Sequence, residues 1–202
     1  MSIGVFAAVM GAAFLHALWN ALIKMGTSKV GGMVILSIIE VPIGLAVVAF
    51  APAIDPAAIP WVIAAGCTHF AYKSFLCFAY DRGDLSRVYP IARGAAPMLV
   101  ALVGAFILKD AVTGQQYAAI AVLALGILLM ARGVFTSGEN RRLLPFALGS
   151  ALATATYTMI DGLGARVSGS AAAYVAWVFV ADGLIFTIGT LGWRGLDVIP
   201  RS

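Results

Sequence analysis

Seven stretches of apolar residues follow one another along this chain, each close to the ~20 that an α-helix needs to cross a bilayer core. They cover residues 3–24, 31–50, 59–80, 85–108, 115–132, 143–164 and 171–192. The breaks between them are short and rich in Gly, Pro and Asp: Gly31-Gly32, Ala51-Pro-Ala-Ile-Asp-Pro56 and Asp81-Arg-Gly-Asp84. Such connections make consecutive helices antiparallel neighbours in one bundle. With 62% hydrophobic and 11% charged residues, the 202-residue chain has too little polar surface to cover a water-soluble globule. Lipid is therefore the solvent for most side chains. The fold class expected is an all-α, polytopic transmembrane helix bundle.

The first span lacks a basic leader, and His16, Trp19, Asn20 and Lys24 interrupt it where a cleavable signal would be most apolar, so it reads as a retained helix. Cys67 and Cys77 both fall in the third span. At ~100° per residue they face different sides, which excludes a disulfide between them and suits small packing groups. Loop charge is uneven. Lys24, Lys29, Arg82, Arg87, Arg132, Arg141, Arg142, Arg194 and Arg201 lie on one side of the alternating topology, against Lys109 and Arg166 on the other. The positive-inside rule makes the first side cytoplasmic and puts the N-terminus outside. The net charge of +4 reflects this bias and no nucleic-acid partner, since no soluble basic domain exists to bind one.

Polar side chains recur at helical spacing. His16, Asn20 and Lys24 share a face of the first span; His69, Tyr72, Lys73 and Tyr80 mark the third; Ser86, Tyr89, Arg93 and Pro97 mark the fourth. Thr154, Tyr157, Thr158 and Asp161 lie in the sixth span, Tyr174 and Asp182 in the seventh, and Glu40 near the middle of the second. Pro90 and Pro97 free backbone carbonyls at membrane depth. Ionisable residues there are costly unless they face a cavity or one another, so a wet centre is expected with Glu40, Lys73, Arg93 and Asp182 turned inward. Two readings stay open for the charges. Lys73 and Arg93 attract an anionic group, or they are permanently paired with Glu40 and Asp182. His16 and Asn20 likewise either line the cavity or bond across helices.

Leu22-Ile-Lys24 and Met159-Ile-Asp161 stand in matching contexts 137 residues apart. Five helices followed by a copy of themselves give two halves of opposite orientation, as in many secondary transporters. His16-Ala-Leu-Trp-Asn20, Ala79-Tyr-Asp-Arg-Gly-Asp-Leu-Ser-Arg-Val-Tyr-Pro-Ile-Ala-Arg-Gly94 and Ile160-Asp-Gly-Leu-Gly-Ala-Arg166 resemble the EamA-type members of the drug/metabolite transporter superfamily. The resemblance implies ten helices in two inverted repeats, in a bacterial inner membrane, and an N-terminus in the cytoplasm, opposite to the loop charges. On that pattern residues 1–134 form the first repeat, and 143–202 begin a second of which two helices are present. Small-residue faces at Gly94, Ala95, Gly149 and Ala153 are then expected to lie open for absent partners, either a second copy of the chain or further helices.

The function expected is a secondary carrier, an exporter of a small anionic or amino-acid-like metabolite. Its candidate substrate-binding residues are His16, Trp19, Asn20, Tyr72, Lys73, Tyr89, Arg93, Tyr157 and Asp161, with Glu40 and Asp182 as proton carriers. The alternative is a truncated membrane remnant or assembly partner that transports nothing. Catalysis is not expected: the chain has no HExxH, no GxSxG and no paired carboxylates in an aqueous loop. Two histidines and two cysteines are too few for a metal site, and no cofactor is expected.

Overall fold

The computed structural model describes residues 3–106, 113–136 and 141–198. These form seven long helices: α1 Ile3–Met25, α2 Lys29–Phe50, α3 Ile59–Tyr80, α4 Leu85–Phe106, α5 Gly114–Thr136, α6 Leu143–Val167 and α7 Ala171–Arg194. Short 3₁₀ turns at Pro56–Ala58 and Leu196–Val198 flank α3 and α7, and no strand occurs among the described residues. Each helix coincides with an expected span to within a few residues, the end of the fourth span (107–108) lying outside the described residues.

Local signals explain the boundaries. Ser28 caps α2, its Oγ accepting from the Gly31 N–H at 2.9 Å. Asp55 caps the turn before α3, its side chain accepting from the Ala57 N–H at 2.8 Å. Ser170 caps α7, accepting from Ala173. Each satisfies an N–H that has no partner within its helix. At the other end of α7, Gly195 takes φ 71°, a left-handed conformation that glycine adopts without strain.

Among the described residues, five helices, α1, α2, α3 with its preceding turn, α6 and α7, are long and apolar enough to cross a membrane. The radial distribution is that of a protein solvated by lipid. Ile35, Ile38, Ile39 and Ile43 on α2 and Phe179, Leu184 and Ile188 on α7 are exposed, whereas Asn20, Ser37, Lys73, Ser150, Thr154 and Asp182 are buried.

Contacts between the ends establish the up-down order. Lys24 Nζ donates to the Tyr80 and Gly83 carbonyls at 2.7 and 2.6 Å, so α1 ends beside the end of α3, where a cation suits the helix dipole. Ser28 Oγ donates to the Val198 carbonyl at the same end. At the opposite end the Asp55 N–H donates to the Ser168 carbonyl at 3.1 Å, tying the α2–α3 connection to the α6–α7 turn. The first end gathers Lys24, Lys29, Arg82, Arg132, Arg141, Arg142 and Arg194, while Arg166 is at the second. There the Arg82 guanidinium lies 4.4 Å from the Phe146 ring and Arg194 4.9 Å from Trp193.

The core is built on α3, which packs on both α6 and α7; α2 lies along α7, and α4 joins α6 to α5. Two glycines set the α2–α7 spacing. A Cβ on Gly44 would come 2.6 Å from the Ala176 carbonyl oxygen, and one on Gly183 2.5 Å from that of Ser37. Backbone meets backbone in both directions. The expected open small-residue faces are corrected by the structure: Ala95 and Ala153 are buried, Gly149 packs against the Phe75 ring and Gly94 against Ile127. Helices within this chain pack against those positions. The pair α1 and α6, matched in sequence, differ in placement: α6 is central, whereas Val5, Phe6, Val9, Phe14 and Leu15 leave α1 largely exposed at the edge.

Candidate functional site

Tyr72 and Lys73 are neighbours on α3, and the ~100° between successive side chains sends them to different sides of that helix. The polar interior consequently divides in two. On the α2 and α7 side, Lys73 Nζ lies 2.6 Å from Glu40 Oε2, 2.8 Å from Asp182 Oδ2 and 2.9 Å from Ser37 Oγ. The lysine and Asp182 side chains are only 4% and 5% exposed. All three protons of the ammonium therefore have an oxygen partner, and the charge is held by two carboxylates.

His69, one turn before Lys73, extends this network. Its Nδ1 is 3.3 Å from Asp182 Oδ2 and its Nε2 3.4 Å from Asp161 Oδ2. Tyr174 OH donates to the other oxygen of Asp161 at 3.3 Å. Three carboxylates thus share one ammonium and one imidazole. The second oxygen of Asp182, Oδ1, is buried with no hydrogen-bond partner.

On the other side of α3, Arg93 of α4 is the centre. Its Nη1 donates to Tyr157 OH at 3.0 Å, its Nη2 donates to Tyr72 OH at 2.7 Å and lies 2.6 Å from His16 Nε2, and its guanidinium covers the Tyr72 ring at 4.8 Å. Among the described residues it has no carboxylate partner, and its Nε is buried without an acceptor. Trp19 Nε1 donates to His16 Nδ1 at 3.1 Å. Both ring nitrogens of His16 therefore face donors, and a neutral imidazole can accept at only one of them. Tyr89 stands at the margin, its ring 6.3 Å from that of His16.

A cavity of about 500 Å³ opens beside Arg93, walled by Ala96, Pro97 and Val100 of α4 and by Thr154, Tyr157 and Thr158 of α6. Thr154 Oγ1 is also buried without a hydrogen-bond partner. A second cavity of about 530 Å³ near the α2–α3 connection, between Val48, Ile54 and Trp177, is lined by apolar side chains and distant from these charges.

Of the residues singled out in the sequence, His16, Trp19, Tyr72, Tyr89 and Tyr157 gather around Arg93, and of these six Arg93 and Tyr157 line the cavity. Lys73, Glu40, Asp182 and Asp161 form the separate charged network. Asn20 belongs to neither: its amide donates to the His16 carbonyl and its oxygen accepts from Tyr80 OH at 2.7 Å, so it ties α1 to α3. Sequence reasoning passed over His69, Thr154 and Tyr174 as site residues, although all three stand in the polar stripes, and Ser37, one turn before Glu40, carried no stripe signal. The two groups touch through the His69 ring, whose centroid lies 4.1 Å from that of Tyr157 and 6.5 Å from that of Tyr72. No family model, no curated protein and no solved structure matches this chain.

Proposed function

We propose that the chain is a membrane carrier for a small solute bearing an anionic group, bound at Arg93 in the cavity between α4 and α6. One observation carries the reading: a half-buried guanidinium, its Nε buried and with no carboxylate partner among the described residues, borders a cavity of metabolite size. A partly desolvated cation without a counter-charge is costly, and an anion entering the cavity would offset that cost and supply the acceptor that Arg93 Nε lacks. Thr154 Oγ1 and Tyr157 OH provide further hydrogen bonds, and Ala96, Pro97 and Val100 an apolar wall. The resemblance to EamA-type carriers supports the same class, with the remaining helices as spans and a bacterial inner membrane as the setting. The assembly-partner alternative draws support from Lys73, whose locked ion pairs suit a structural role.

Thermal unfolding of the purified full chain in detergent, with small carboxylates and inorganic phosphate as probes, tests the proposal. A ligand at 100 times its Kd adds about 2.7 kcal/mol to apparent stability. At least one anion should raise the midpoint of the wild type and leave Arg93→Gln unchanged. No response to any anion at millimolar concentration, or an equal response in both proteins, would refute anion binding at Arg93.

A further inference from the structure

His69 touches acidic groups with both of its ring nitrogens, and those groups come from different helices. Asp182 of α7 is almost fully buried, whereas Asp161 of α6 is 29% exposed. At 1.5 Å per residue, Asp182 lies ~16 Å along its helix from the end that carries the 51–58 connection, His69 ~15 Å, and Asp161 ~9 Å. The three groups descend from mid-bundle towards that end. An imidazole bridging two carboxylates can take a proton at one nitrogen while releasing one from the other.

We propose that His69 is a proton shuttle between Asp182 and Asp161, and that Tyr157 makes the Arg93 cavity responsive to its charge. In one transfer the O–H bond on Asp182 Oδ2 breaks as an N–H bond forms at Nδ1. At the same time the N–H bond at Nε2 breaks as an O–H bond forms on Asp161 Oδ2. One proton has then moved from Asp182 to Asp161, and exchange of the ring tautomer resets the histidine. No oxidant, reductant or metal takes part.

The surroundings supply both the acceptors and the link. Lys73 neutralises only part of the charge of Glu40 and Asp182, so the network has room for a further positive charge on the ring. Asp182 Oδ1, buried and unpartnered, is a second acceptor on the deep side. The groups facing His69 are Tyr72 and Lys73 on its own helix, Tyr157 and Asp161 on α6, Asp182 on α7 and, across Lys73, Glu40 on α2. Tyr157 is the member shared with the cavity, since its ring lies on His69 while its hydroxyl accepts from Arg93. As a coupling device this rests on the carrier reading; the shuttle itself does not.

The chain contains two histidines, which makes the test direct. The full chain labelled with ¹⁵N-histidine is placed in lipid nanodiscs and followed by NMR across about pH 5 to 9, where imidazoles ordinarily change charge. His69→Gln identifies the His69 signals by their loss. The wild-type ring should change protonation or exchange tautomers within this range. Asp161→Asn and Asp182→Asn should each move its midpoint by about one pH unit, a tenfold change in proton affinity. Arg93→Gln should also move it, and that effect should vanish in Tyr157→Ala. A ring that keeps one neutral tautomer throughout overturns the shuttle from the wild-type data alone, even if a carboxylate variant fails to fold. A ring that titrates but ignores Arg93→Gln overturns the link to the cavity. No solute is needed, so failure of anion binding and failure of the shuttle are read separately.

Discussion

Replacing Lys73 by methionine removes the ammonium that three oxygens share while retaining most of the side chain's apolar length. Glu40 and Asp182 would then remain in the bundle interior without the cation between them, at partner distances now 2.6 and 2.8 Å. Breaking a buried ion pair from one side costs about 3–5 kcal/mol, because the surviving charge keeps its desolvation penalty and loses its compensation. At 1.4 kcal/mol per tenfold, the folded-to-unfolded ratio falls by roughly two to four orders of magnitude. The assay is reversible unfolding in mixed micelles followed by circular dichroism. The triple variant Lys73→Met/Glu40→Gln/Asp182→Asn removes all three charges and should recover at least half of the loss, as replacing a whole buried pair by neutral groups is often close to neutral. If Lys73→Met stays within about 1 kcal/mol of wild type yet loses anion binding, the structural-pair argument fails and Lys73 belongs with the solute.

Two further outcomes follow from the packing. Asn20→Leu leaves the fully buried Tyr80 hydroxyl without its acceptor and should cost about 1–3 kcal/mol; adding Tyr80→Phe should return most of it, measured in the same unfolding assay. Gly183→Ala forces a methyl onto the Ser37 carbonyl, so about 1–3 kcal/mol should be lost there, while Gly162→Ala, which meets nothing within 4 Å, should leave stability unchanged or slightly raised.

The helices were legible because each is a long apolar run closed by residues that cannot continue it, such as Pro52, Asp55 and Gly169. The stripes were legible too: His16, Asn20 and Lys24 do share a face, and the latter two both reach the end of α3. What could not be read was how the polar groups divide. Tyr72 and Lys73 are adjacent, and only the central position of α3, with α7 on one side and α6 on another, assigns them to different partners. Asn20 shows the same limit, since its spacing fits a cavity or a packing bond equally well and the location of Tyr80 decides. Conversely, the open faces expected at Gly149 and Ala153 followed from counting helices, and the Phe75 ring that fills one of them is a non-local contact no count reveals.

The seam between α2 and α7 also has a mechanical consequence. Glycines on both helices put each backbone against the other, with no side chain between them to yield when one helix is displaced against its neighbour. These two helices must move as a single plank, carrying Glu40 and Asp182 with them. Around Arg93, by contrast, α1, α3, α4 and α6 are joined by long side chains that can swing by changing rotamer. Any rocking that exposes the interior first to one face and then to the other would therefore hinge along the plank and open beside the arginine, keeping the lysine's two acidic neighbours at a fixed distance from each other.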